Sequence, residues 1–298
     1  MTGKTAWSKI YAEERKTEVK VLKKISKKVL AGAALFTLGS LSALTFMVAP
    51  EKPGKELKKP FFGRNIAHRG LHKRSQTIPE NSIPAFKAAS RIGYGVELDV
   101  HLTKDGKVVV FHDDNLQRLC GVDKDIQDLT YLELQEFSLH DTEHKIPLLT
   151  EALRAVGRQR PVIVELKQSG NTKALAAKTY KIITEEGAQA CVESFDPRSM
   201  RWFKKNAPHI LRGQLAMPMK DYPETQGRLK SFMLANTMFN FLSRPHFIAY
   251  KIGKKPLPVR LSELMGAMKV AWTSREWKHE ARNDMVIFEY YRPVVKYK

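Results

Sequence analysis

Two kinds of residue are scarce in this chain, and each scarcity closes off a class of protein. Cysteine occurs only twice in 298 residues, at Cys120 and Cys191. Neither lies in a metal-ligand or redox spacing, and two cysteines cannot build a disulfide framework, so both read as packing residues. Acidic side chains are outnumbered by basic ones, 31 against 51, for a net charge of +20. An anionic membrane surface, a phosphate substrate or nucleic acid would each suit that balance. No RNA- or DNA-binding motif accompanies it, so nucleic acid is not the expected partner. The apolar fraction of 43% and charged fraction of 28% are those of an ordinary globular chain rather than a disordered one.

Charge is missing altogether from one long stretch. Val29 to Ala49, VLAGAALFTLGSLSALTFMVA, runs 21 residues without a charged side chain. As a helix it would be about 31 Å long, enough to cross a bilayer core. Lys20, Lys23, Lys24, Lys27 and Lys28 precede it, Pro50, Pro53 and Gly54 end it, and Lys52, Lys55, Lys58 and Lys59 follow. A cleaved signal peptide is the competing reading, but the polar stretch before the span is long and no small-x-small cleavage site follows it. The expected organisation is a basic segment over 1–28, a transmembrane helix over 29–49, a linker over 50–63 and one domain over 64–298. Seven Lys/Arg in the 15 residues before the span against five in the 15 after place the N-terminus on the cytoplasmic side and the domain outside.

After Phe61 short apolar runs alternate with helical stretches. Strands are expected at 65–70, 95–101, 108–113, 161–167, 190–195, 210–216, 247–252, 269–274 and 285–290. A helix over 83–92 would start at Asn81 or Ser82 and stop at Gly93. Most strand candidates are continuous apolar runs, as strands covered on both faces should be. Such alternation predicts a parallel α/β fold of the (β/α)8 TIM-barrel type. Only about eight residues separate Asp99 from Val108, fewer than a parallel crossover needs, so a hairpin and a tight irregular return both remain open there.

Chemistry concentrates where these strands end. In Glu97-Leu98-Asp99 the two carboxylates share one face of a strand, where they would repel and be costly to desolvate. A divalent cation between them removes both problems, and oxygen ligands favour Mg2+, Ca2+ or Mn2+. Glu165-Leu166-Lys167 repeats the geometry, supplying a third carboxylate and a cation for phosphate. His68-Arg69-Gly70 ends the first strand and His112-Asp113 the third. Carboxylates, cations and imidazoles gathered on the C-terminal rim of a barrel suit phosphoryl transfer. The other histidines, His72, His101, His140, His144, His209, His246 and His279, read as surface or packing residues.

The run IAHRGLHKRSQTIPENSIPAFKAASRIGYGVELDVHLTKDGKVVVFHDDNLQRLCG resembles the glycerophosphodiester phosphodiesterase family. His68-Arg69-Gly70, Pro79-Glu80-Asn81, Glu97-x-Asp99, the Thr103-Lys104-Asp105-Gly106 turn and His112-Asp113 occur in that family's order and spacing. Glu165-x-Lys167, Ser194-Phe195 and Trp272-Thr273 continue the match, which covers roughly 64–292. The resemblance implies a TIM-barrel enzyme that hydrolyses glycerophosphodiesters to glycerol phosphate and an alcohol with a divalent metal. It implies Glu97, Asp99 and Glu165 as metal ligands and His68 and His112 as the acid–base pair. Arg69 and Lys167 would hold phosphate, Glu80 would orient glycerol or a water, and Trp272 would stack on glycerol. His112 could instead approach the metal, since in a hairpin closed by the turn it would lie opposite Glu97.

The chain departs from that family late in the barrel. Ser274 and Arg275 follow Trp272-Thr273 where an apolar residue and Asn or Asp are expected, the segment Glu276 to Asp284 is short for a barrel helix, and the last strand ends in Glu289. These departures bear on the alcohol side of the substrate. The Met- and Phe-rich run 232–242 reads either as a barrel-covering helix or as a lip meeting lipid, which would extend the substrate to lysophospholipids in a lysophospholipase D-like reaction. A membrane-tethered binding protein on a dead barrel is the rival of another class, and it should lack one of these histidines or carboxylates.

Overall fold

The computed structural model describes Lys20, residues 39–168 and residues 170–298. Residues 29–38 of the expected span therefore lie outside the described residues, while 39–48 are helical. No helix among the described residues is long and apolar enough to cross a membrane. The chain divides into two units, Met1–Phe46 and Met47–Lys298, and the second holds the barrel.

All nine expected strands form: β1 (Arg64–Ala67), β2 (Gly95–Leu102), β3 (Val108–Val110), β4 (Val162–Leu166), β5 (Ala190–Ser194), β6 (Arg212–Ala216), β7 (Phe247–Lys251), β8 (Met268–Ser274) and β9 (Met285–Phe288). Eight of them, all but β3, pair in parallel, and β1 bonds to both β9 and β2, so the ring closes. β3 instead pairs antiparallel with β2, outside the ring. The open choice after Asp99 is thus a hairpin. Gly106 turns it at φ +76°, a left-handed conformation that glycine adopts without cost, with its N–H donating to Thr103 O at 2.9 Å.

The hairpin register corrects one expectation. Val100 faces Val110, and the Phe111 N–H donates to Asp99 O at 3.0 Å, so the pairing carried on places Asp113, not His112, across from Glu97. A strand register is set by its turn, and a one-residue difference moves a side chain to the other face.

Alternation along each strand separates two packed layers. Val96, Leu98 and Val100 on β2, with Val162, Val164 and Leu166 on β4, pack outward against helical residues such as Phe86 and Ala89. The helix Ile83–Ile92 carries those two residues, with Ser82 as its N-cap and Gly93, at φ +106°, ending it. Ile66, Ile163, Cys191, Leu215, Phe247 and Val270 point inward and fill the lower barrel. Glu97, Asp99 and Glu165 have the parity of the inward set; Glu97 is level with Ile163, while Asp99 and Glu165 pair one layer higher, toward the C-terminal ends where TIM-barrel chemistry is built. At the opposite end Val48 is fully buried, the Glu51 N–H donates to Pro245 O at 3.2 Å, and the Glu51 carboxylate pairs with Arg212 beneath β6. The segment after β8 is a six-residue 3-10 helix, Trp277–Arg282, short as expected.

Gly213 is a sensitive point of the interior, because a methyl group there would land on the Phe247 ring. Gly213→Ala should overpack the barrel and cost about 1–3 kcal/mol, read as a lower urea midpoint with an unchanged slope. A midpoint equal to wild type would contradict this packing.

Candidate active site

Three strands, β2, β4 and β5, deliver a cluster of four acids into one dry space. Glu97 and Asp99 on β2 are each 1% exposed, Glu165 on β4 is 4%, and Glu193 on β5 is fully buried. One oxygen from each of Glu97, Asp99 and Glu165 lies within 4.8 Å of the others. Burial and the neighbouring charges of Asp99, Glu165 and Glu193 push the Glu97 carboxyl well above its ordinary range. Burial also raises Glu165, only partly offset by Lys167. Asp99 goes the other way: although burial opposes its charge, Lys167, His112 and Arg69 hold it well below the usual value. A space in which one carboxyl must ionise beside another suits a cation. All-oxygen ligands fit a hard divalent ion such as Mg2+ or Ca2+.

The expected cations are in place. Lys167 Nζ sits 2.9 Å from Glu165 Oε1 and 3.3 Å from Asp99 Oδ1. Arg69 follows β1 in a left-handed conformation, φ +53°, which aims its backbone N–H at Glu97 Oε2, 3.0 Å away, while its guanidinium reaches Glu80 at 2.6 Å. Glu80, 3% exposed, is also gripped by Arg118 at 2.8 Å. Burial opposes its ionisation, but Arg118 and Arg69 prevail and bring it down to about 2. Asn81 in Pro79-Glu80-Asn81 caps no helix; its side chain donates to Asp99 Oδ2 at 2.8 Å.

The two histidines have different settings. His68 is 7% exposed, with Nδ1 at 3.3 Å from Glu289 Oε1 and Nε2 at 3.9 Å from Glu97 Oε2. Burial takes its pKa down to about 4, so the ring is neutral at pH 7, and Nδ1 carries the hydrogen that Glu289 accepts. His112 is more open, 30% exposed in its side chain, with Nδ1 bonded to Asp113 Oδ1 at 2.5 Å. Arg118 joins Asp113 to Glu80, so this second histidine is tied into the same network. The Trp272 ring packs edge-on against Phe195, centroids 5.6 Å apart.

Several neighbours of the site escape sequence reasoning. Glu289 accepts from His68 and pairs with Arg275 at 2.9 Å, so two apparent departures at the end of the barrel are one ion pair. His72, read as a surface or packing residue, has its Nε2 3.5 Å from Glu289 Oε1. Both oxygens of Glu193 lack hydrogen-bond partners, and burial with the charges of Glu165 and Asp99 raises its carboxyl well above normal. The register Glu165↔Glu193 is the signal that could have found it, since the same-face argument for Glu165 applies to its parallel neighbour.

Comparison with known proteins finds a family and a fold. A sequence model described as the glycerophosphoryl diester phosphodiesterase family matches residues 68–291. A glycerophosphodiester phosphodiesterase of Caldanaerobacter subterraneus is 36% identical over 162 residues, covering 50% of this chain and 65% of that protein. A human lysophospholipase D is 34% identical over 152 residues, 46% of this chain and 47% of its own length. The matched stretches thus span about half to just under two thirds of these relatives. A phosphodiesterase of Oleispira antarctica, whose structure holds the product sn-glycerol-3-phosphate, has a TM-score of 0.62 at 22% identity. That match covers 76% of this chain and 93% of the other. At that identity the likeness concerns the fold.

The depressed Glu80 carboxyl has a signed consequence for stability. A carboxyl near 4.5 when unfolded and about 2 when folded contributes stability above pH 4.5 that is lost as pH falls toward 2. A gap of this size is on the order of 3 kcal/mol. Glu80→Gln should lower urea stability at pH 7 by a figure of that order and flatten its decline between pH 5 and 3. A variant whose pH–stability curve parallels wild type would show that the Arg69–Glu80–Arg118 grip contributes nothing.

Proposed function

Because the chain belongs to the glycerophosphoryl diester phosphodiesterase family, we propose that it is a phosphoric diester hydrolase that cleaves glycerophosphodiesters to glycerol phosphate and an alcohol. The observation that carries this reading is the meeting of Glu97, Asp99 and Glu165 with Arg69, Lys167 and the two histidines on one barrel rim. Glu97, Asp99 and Glu165 would hold a divalent ion, which when bound would draw electron density from the phosphate oxygens. Arg69 and Lys167 neutralise charge on the phosphoryl group as it develops.

Proton movement falls to the histidines. His68, neutral and held at Nδ1 by Glu289, presents Nε2 as the base that takes a proton from the nucleophile, a water or the neighbouring glycerol hydroxyl. The P–O bond to the alcohol then breaks. His112, oriented at Nδ1 by Asp113, gives a proton to the leaving oxygen. Glu80, fixed between Arg69 and Arg118, holds the arginine fork in position and faces the glycerol side. Trp272, held edge-on by Phe195, would stack on the glycerol. All five expected histidines and carboxylates are present, which argues against a dead barrel kept only for binding.

The uncharged segment that begins at residue 29 and ends before the buried Val48 anchors the protein in a bilayer, with the N-terminus cytoplasmic and the domain outside. The uncharged length of the segment and its flanking lysines support this reading. A second substrate reading, a lysophospholipase D-like cleavage of lipid diesters, is favoured by exposed apolar side chains on short helices that follow β6 and β8: Leu229 at 75% and Phe232 at 45% on Arg228–Ala235, and Trp277 at 76% on Trp277–Arg282.

The test pairs a substrate panel with two variants. Purified protein with Mg2+, Ca2+ or Mn2+ should hydrolyse glycerophosphocholine or glycerophosphoglycerol faster than lysophosphatidylcholine, and the reverse order would establish the lipid reading. His68→Ala and His112→Ala should each lower kcat at least about a hundredfold. Near-normal turnover in either variant would remove that histidine from the mechanism.

A further inference from the structure

Beside the carboxylate cluster, but facing away from it, is a second group of ligands of different chemistry. His68, His72 and Glu289 each offer one ligand atom, all within 4.8 Å of one another. His68 Nδ1 is 3.3 Å and His72 Nε2 3.5 Å from the same atom, Glu289 Oε1. Ligands about 2.0–2.1 Å from a tetrahedral zinc ion stand about 3.3–3.4 Å apart, so both separations match the edges of such a site. His72 is nine-tenths buried; its Nε2 reaches Glu289 Oε1 only at 3.5 Å, without good hydrogen-bond geometry, and its Nδ1 has no hydrogen-bond partner. A buried imidazole held this loosely is costly and suits a ligand. The remaining Glu289 oxygen is occupied by Arg275, which fixes the carboxylate with Oε1 toward the two rings.

We propose that His68, His72 and Glu289 form a transition-metal site, best suited to Zn2+, whose occupation shuts off the catalytic base. Two imidazoles and one carboxylate are a zinc set that leaves a fourth position for water. The all-carboxylate set on the other side of His68 prefers Mg2+ or Ca2+, so the two sites discriminate between ions. The consequence for catalysis follows from tautomerism. His68 now bears its hydrogen on Nδ1 and a lone pair on Nε2. An ion bound at Nδ1 needs a lone pair on that atom, so the single ring hydrogen moves from Nδ1 to Nε2, whose own lone pair is thereby used. No net proton is gained or lost, but Nε2 becomes an N–H that can no longer accept a proton from the nucleophile.

The inhibitory half rests on His68 being the base; the binding half does not. Protein saturated with Mg2+ is dialysed against Zn2+ and the bound zinc counted, for wild type and His72→Gln, and both are assayed on glycerophosphocholine over a zinc series. Wild type should bind one Zn2+ without displacing Mg2+ and lose more than tenfold of its turnover. His72→Gln should keep its zinc-free turnover and need at least tenfold more zinc for either effect. Equal zinc binding in both proteins overturns the site, and zinc bound with undiminished turnover overturns the inhibition. A wild type inactive without zinc would sink the proposed function instead, while the dialysis still decides the site. Should His72→Gln not fold, Co2+ added to Mg2+-saturated wild type should give the strong visible bands of a four-coordinate nitrogen and oxygen site. Their absence overturns the proposal.

Discussion

Glu97, Asp99, Glu165 and Glu193 place four carboxyl groups inside one barrel, each at most 4% exposed; the other three raise the cost of ionising Glu97, and Asp99 and Glu165 raise that of Glu193. Few arrangements of side chains are less favourable to folding alone, since burying like charges costs several kcal/mol per ion. The surrounding structure can be read as compensation. Lys167 spans two of the acids, Asn81 and the Arg69 backbone N–H each satisfy one oxygen, and a hydrophobic layer of Ile66, Ile163, Leu215 and Phe247 supports them from below. Such compensation remains partial, because Glu193 has no hydrogen-bond partner and Glu97 stays far above its normal range. Stability sacrificed in this way is characteristic of a site rather than of a core.

A chain of ion pairs leads outward from these acids and fixes the functional groups. Arg69 connects Asp99 to Glu80, Arg118 connects Glu80 to Asp113, and Asp113 holds His112. On the other side His68 connects Glu97 to Glu289, which Arg275 secures. Each histidine therefore has one nitrogen bound to a carboxylate, and the acidic centre is tied to both. Electrostatics at such short range in a dry space is stronger than at a surface, so the geometry of the imidazoles is set by the same charges that make the centre unfavourable.

Much of this was legible from residue order. The nine strands announce themselves as apolar runs bounded by turn residues, and their number and alternation with helices imply the closed barrel. Glu97, Asp99, Glu165 and Lys167 follow from strand parity alone. What could not be read locally was pairing across the ring. Glu289 and His68 are 221 residues apart, and nothing in the residues around either suggests the other. Arg275 and Glu289 looked like unrelated departures until β8 and β9 were seen side by side. The hairpin register decided whether His112 or Asp113 lies across from Glu97, and a turn of that length allows either. His72 looked like any histidine in a loop because its neighbours come from the far end of the chain.

The central claim is that the buried acids exist to hold a divalent ion. Crystals grown with Mn2+ and measured near its absorption edge test it most directly. An anomalous peak coordinated by Glu97, Asp99 and Glu165 is the predicted result. Full diesterase turnover in the same protein with no anomalous density among those three carboxylates would contradict it.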